Sequence, residues 1–105
     1  MILVKVQKQR QLIKKIEISG HADSARYGED LICAAVSAVV TGTLNAVEEL
    51  VSGSCRIRQS IKQTVIAEAT ENQTLQIILE TMLYQLKTVA ESNPQYIRIE
   101  QEVVL

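Results

Sequence analysis

Residues 30–53, DLICAAVSAVVTGTLNAVEELVSG, decide the fold, because here the hydrophobic period changes from that of a strand to that of a helix. Ile32, Val36, Val39, Val40, Thr43, Val47, Leu50 and Val51 fall on one helical stripe that must face a core. Asp30 stands where an N-cap belongs, its carboxylate able to accept hydrogen bonds from backbone N–H groups two or three residues on, and Gly53 ends the helix. The opposite side begins with Ala34 and Ala38 and turns polar at Thr41, Asn45 and Glu48. The first half is thus apolar nearly all round, as expected of a helix covered on two sides, the second by a partner subunit.

Upstream, Ile2, Val4 and Val6 alternate with Leu3, Lys5 and Gln7, the pattern of a half-buried strand. After a polar turn around Gln9-Arg10, Leu12 to Ser19 place Ile16 and Ile18 on one side and Glu17 and Ser19 on the other, so the two segments should pair as a hairpin. Leu12 and Ile13 break the alternation, which leaves the register near the turn open, with a bulge as one way to resolve it. Downstream, Ser54 to Ser60 and Gln63 to Ala69 read as a second hairpin, with Cys55 and Ile57 alternating against Arg56 and Arg58, and Val65 and Ala67 against Thr64 and Glu68. Cys55 is therefore expected to be a core residue of a strand.

Thr70-Glu71-Asn72-Gln73 has the form of a capping box, and Leu75, Ile78, Leu79, Met82, Leu83, Leu86 and Val89 keep helical spacing behind it. Asn93-Pro94 stops that helix, and Tyr96 to Val103 supplies a last strand with Ile97 and Ile99 inward. The order ββαββαβ predicts an α+β fold, a two-layer α/β sandwich with both helices on one face of a largely antiparallel sheet. The other sheet face is expected to be more polar. Residues 1–105 read as a single domain.

The 11 basic and 12 acidic residues leave a formal net charge of -1, which gives no electrostatic footprint for nucleic acid. Three tyrosines without Phe or Trp offer few platforms for stacking bases. The apolar run Leu31 to Val40 is shorter than a bilayer span, and the N-terminus lacks the layout of a secretory signal. A cytoplasmic protein is expected, with Cys33 and Cys55 reduced. One histidine and no CxxC argue against a metal site, and nothing calls for a cofactor.

The one histidine, His21, lies twelve residues before Cys33, and the segment between reads as strand end, loop and helix start. A thiol in the first turn of a helix sits near unpaired backbone N–H groups, which favour a thiolate. With His21 as proton acceptor, these are the parts of an activated nucleophile and its base. Asp30 either caps the helix, competing for those N–H donors, or turns to orient His21; Asp23 and Glu29 are the other candidates for that third role. Ser37, one turn after Cys33, can bond substrate or the thiolate, or donate back to the Cys33 carbonyl. Gly20 and Gly28 bracket the loop and either let it move over a cleft or make tight turns. The bland alternative makes Cys33 a small buried apolar residue and His21 a satisfied loop residue. Arg56 and Arg58 read as an exposed strand face, or more weakly as a contact for an acidic partner or rRNA.

Gly20-His21-Ala22, followed by Gly28-Glu29-Asp30-Leu31-Ile32-Cys33-Ala34-Ala35-Val36-Ser37, resembles the signature of the ribosomal-processing cysteine protease family Prp, also called YsxB-like. The resemblance implies a bacterial cytosolic endopeptidase that trims a short N-terminal extension from large-subunit ribosomal protein twenty-seven. It implies Cys33 as nucleophile, His21 as general base, a homodimer, a mobile loop between the two residues, and paired phenylalanines before the cut in the substrate. Two other readings compete: a non-enzymatic ribosome-assembly or adaptor module, and a redox sensor built on a reactive Cys33.

Overall fold

The computed structural model describes residues 1–20 and 27–105, and of residues 27–30 the backbone only. Its elements are β1 (Ile2–Gln9), β2 (Leu12–Ser19), α1 (Tyr27–Val51), β3 (Arg56–Gln59), β4 (Gln63–Ala67), α2 (Gln73–Ser92) and β5 (Ile97–Val103). They reproduce the expected order ββαββαβ. The sheet runs β3-β4-β2-β1-β5 and is mixed, since β5 pairs with β1 in parallel while the other pairs are antiparallel. Both helices lay their apolar stripes into one core with Val4, Val6, Ile13, Ile16 and Ile66, making the two-layer sandwich.

The first hairpin turns through Arg10 and Gln11, both with positive φ, one residue later than the polar pair suggested. Two consecutive left-handed residues form the tight turn whose twist suits a hairpin. Gln7 faces Lys15 and Lys8 faces Ile13, so Lys14 is the extra residue of a β-bulge, which settles the register that the sequence left open. That extra residue reverses the alternation, and Ile13 joins Ile16 and Ile18 in the core.

Where β4 stops at the bulge, a side chain replaces it. Gln76 of α2 accepts from the Ile13 N–H at 2.9 Å and donates to the carbonyls of Ile13 and Thr70 at 2.9 Å each. Gln76→Leu keeps the bulk and leaves three backbone groups without these partners. The expected cost is about 1–3 kcal/mol, read as a lower midpoint in a thermal melt; an unchanged midpoint would refute this role.

In the second hairpin the structure corrects the phase. Ile66, paired with Ile16 and Ile57, faces the core, while Val65 lies between Glu17 and Arg58 on the other sheet face. Val65-Ile66-Ala67 is a run of three apolar residues and carries no alternation of its own. Cys55 precedes β3 instead of lying in it, half-buried and packed against the core. The α2 cap is Asn72, whose Oδ1 accepts from Leu75 N–H at 3.0 Å. Thr70 does not cap the helix; its hydroxyl accepts from the Asn72 N–H.

In α1, Val36, Val40, Thr43 and Val47 are buried as expected and Leu44 joins them, but Leu50 is exposed. Gly53, at φ +83°, follows the last turn, and Ser54 N–H donates to the Val51 carbonyl. Leu31–Val51 is long and apolar enough by length and composition to cross a membrane, a longer stretch than the run taken from sequence. One face of that stretch is spent on the core. The open sheet face is polar, with ion pairs Lys15–Glu17 and Arg98–Glu100.

Candidate active site

α1 begins at Tyr27, and this changes the expected local chemistry. Asp30 lies inside the first helical turn and is not the N-cap, because a cap precedes the first helical residue. Gly28 is likewise helical and makes no tight turn. Cys33 follows Tyr27 by six residues, so it sits beyond the first turn, where the influence of the helix start has largely decayed. The helix end therefore contributes little at the Cys33 sulfur. His21, Asp23 and the loop lie outside the described residues, as do the side chains of Glu29 and Asp30.

The structure places Cys33, Ser37 and Gly20 around one cleft of about 240 Å³. Its floor is apolar, made by Ile2 at the start of β1, Ile18 near the end of β2, and Val36 and Val40 of α1. Its rim is polar, from Ser37 and Thr41 on α1 to Gln59, Ser60, Lys62, Gln63 and Thr64 around the β3–β4 turn. Cys33, Ser37 and Thr41 are spaced by one helical turn, so α1 presents a thiol and two hydroxyls in a row. Thr43, Thr81 and Thr88 each donate to the carbonyl four residues earlier. Ser37 lines the cleft.

Gly20 holds φ +82°, and a Cβ there would overlap the carbonyl oxygen of Met1. A left-handed backbone and the close passage of β1 both require glycine at this point. The residue that follows it is His21. Thr41 and the β3–β4 turn were not singled out in the sequence. Helical spacing from Cys33 points to Thr41, whereas the turn reaches the cleft through sheet pairing that no local pattern reveals.

Cys55 lies away from this cleft. Burial, followed by the nearby Glu48 carboxylate, pushes its thiol above the ordinary 9.0. Its contribution to stability is full below that pH and is lost as pH rises through the folded value. It stays protonated at neutral pH. Cys33 is thus the cysteine that combines a cleft with neighbouring polar groups.

The cysteine protease Prp family model matches residues 1–98. The ribosomal processing cysteine protease Prp of Staphylococcus aureus is 34% identical over 90 residues, covering 83% of this chain and 85% of the relative. A crystal structure of S. aureus Prp with a covalently linked product peptide superposes with TM-score 0.88 at 33% identity, covering 97% of this chain and 100% of that one. A second, with a substrate peptide, superposes equally well at 32% identity over the same shares. With the family model spanning nearly the whole length, a third of residues shared with the S. aureus relative and the same fold, the chain belongs to the Prp family of cysteine proteases.

Proposed function

We propose that this chain removes the short N-terminal extension of bacterial large-subunit ribosomal protein twenty-seven, with Cys33 as nucleophile and His21 as general base. The observation that carries the reading is Cys33 at the wall of an apolar-floored cleft, in a chain whose relative has been crystallised with a product peptide covalently linked.

His21 takes the proton from the Cys33 thiol, and Sγ attacks the scissile carbonyl carbon. As the tetrahedral intermediate collapses, the C–N bond breaks and His21 delivers the proton to the departing amine. Water, deprotonated by His21, then releases the peptide acid from the thioester. Ser37, on the cleft wall one turn from Cys33, donates a hydrogen bond to the bound peptide. Asp30 is the residue proposed to orient His21, and Gly20 holds the end of β2 from which the chain runs into His21. No cofactor or metal takes part in this chemistry.

The enzyme works in the cytoplasm, where thiols stay reduced, and it does not bind nucleic acid directly, in keeping with the mixed charges on its open sheet face. It acts as a homodimer, supported by Leu31, Ala34 and Ala38 lying exposed on the outer side of α1. Sedimentation should read twice the mass of the chain; a monomer at working concentration would contradict this. Incubation with the extended ribosomal protein under reducing conditions tests the activity. The expected product is the mature N-terminus in the mass spectrum, and uncut protein would sink the proposal.

A further inference from the structure

Ser60 to Gln63 join β3 to β4 in a tight turn, and the side chain at its tip is Ile61, 96% exposed. A β-branched apolar residue gives nothing to its own fold there, and turns favour Gly, Asn, Asp or Ser. The turn is nonetheless held firmly. Ser60 N–H donates to the Gln63 carbonyl at 2.9 Å, and Ser60 Oγ accepts from the N–H groups of Lys62 and Gln63 at 3.2 Å. Ile61 also lines the cleft that holds Cys33. The apolar floor residues Ile2, Ile18, Val36 and Val40 are each at most 8% exposed, so they offer an incoming ligand little surface to cover. Of the aliphatic residues that line this cleft among those described, Ile61 is the one whose side chain stands open to solvent.

We propose that Ile61 is a substrate-contacting specificity residue, a fixed apolar wall that packs on a bulky apolar side chain of the peptide beside the scissile bond. This rests on the protease reading above. Displayed on a rigid turn, Ile61 loses little freedom when substrate covers it. Its neighbours Gln59, Ser60 and Lys62 supply polar groups for the peptide backbone.

The test is steady-state cleavage by wild type, Ile61→Ser and Ile61→Leu. The substrates are a peptide spanning the cut and copies with each bulky apolar residue near the cut replaced by alanine. Ile61→Ser should lower kcat/KM roughly ten- to a hundredfold, mainly through KM, and should lose most of the preference for the bulky residue. Ile61→Leu should restore both. Alkylation of Cys33 by iodoacetamide and the melting temperature should match wild type in both variants. Equal cleavage with equal preference would overturn the proposal, and so would a changed melting temperature, which would mark Ile61 as structural. If the wild type cuts no peptide, the protease reading fails and this inference fails with it.

Discussion

Cys33→Ala is expected to abolish cleavage of the extended ribosomal protein, a loss on the order of 10⁴-fold or more, while the protein keeps its fold. The size follows from chemistry. Without Sγ there is no atom to form the thioester, and a methyl group leaves nothing for His21 to deprotonate. The fold survives because Cys33 is only half-buried at the cleft wall, and the core beneath is closed by Val36 and Val40. The loss of packing should be about 1 kcal/mol or less. Cys55→Ala supplies the contrast, since that thiol lies outside the cleft and is kept protonated by burial and by Glu48. It should cleave like wild type. Cleavage at wild-type rate by Cys33→Ala, followed by mass spectrometry, would remove the nucleophile from the mechanism.

Gly20→Ala is expected to cost stability and activity together. An L-residue at φ +82° costs about 1–2 kcal/mol. Its Cβ also meets the Met1 carbonyl oxygen, and backbone cannot swing aside as the end of a flexible side chain would. That backbone leads directly into β1, whose first residue donates from Ile2 N–H to the Tyr96 carbonyl at 2.8 Å. Relief of the clash must therefore shift the start of β1 or the end of β2, and with them two floor residues of the cleft, Ile2 and Ile18. The summed cost should be about 2–3 kcal/mol, a fall in melting temperature of roughly 4–8 °C for each kcal/mol in a domain of this size. Because His21 follows Gly20, kcat/KM should fall more than tenfold even where the variant is fully folded. A variant with wild-type melting temperature and wild-type kcat/KM would show that neither constraint operates.

The architecture was legible where a period was unbroken. Leu75, Leu79, Met82, Leu83 and Leu86 mark α2 because only one register buries them all, and Ile2, Val4 and Val6 do the same for β1. Legibility failed where neighbouring apolar residues erase the period, as at Val65-Ile66-Ala67, whose inward member is chosen by pairing with Ile16 and Ile57. It failed also at helix starts. Asp30 and Thr70 both have cap chemistry, but a helix begins where the chain geometry allows it, at Tyr27 for α1 and behind Asn72 for α2. The consequence for function is specific. Cys33, Ser37 and Gly20 do meet at a cleft, while the helix-start activation expected for Cys33 does not survive a helix that begins six residues earlier. The β3–β4 turn entered the site through a sheet pairing more than thirty residues distant from β2 in sequence, which local pattern cannot register.

The central claim is that the peptide is carried covalently on Cys33 during turnover. The direct measurement is acid quench of wild-type protein during cleavage of a peptide spanning the cut, followed by intact-mass analysis and mapping of the modified residue. The predicted result is a mass increase equal to the N-terminal product less one water, located on Cys33 and absent from Cys33→Ala. Cleavage proceeding with the acyl group on Cys55, or with Cys33 demonstrably unmodified under conditions that trap other thioesters, would contradict it.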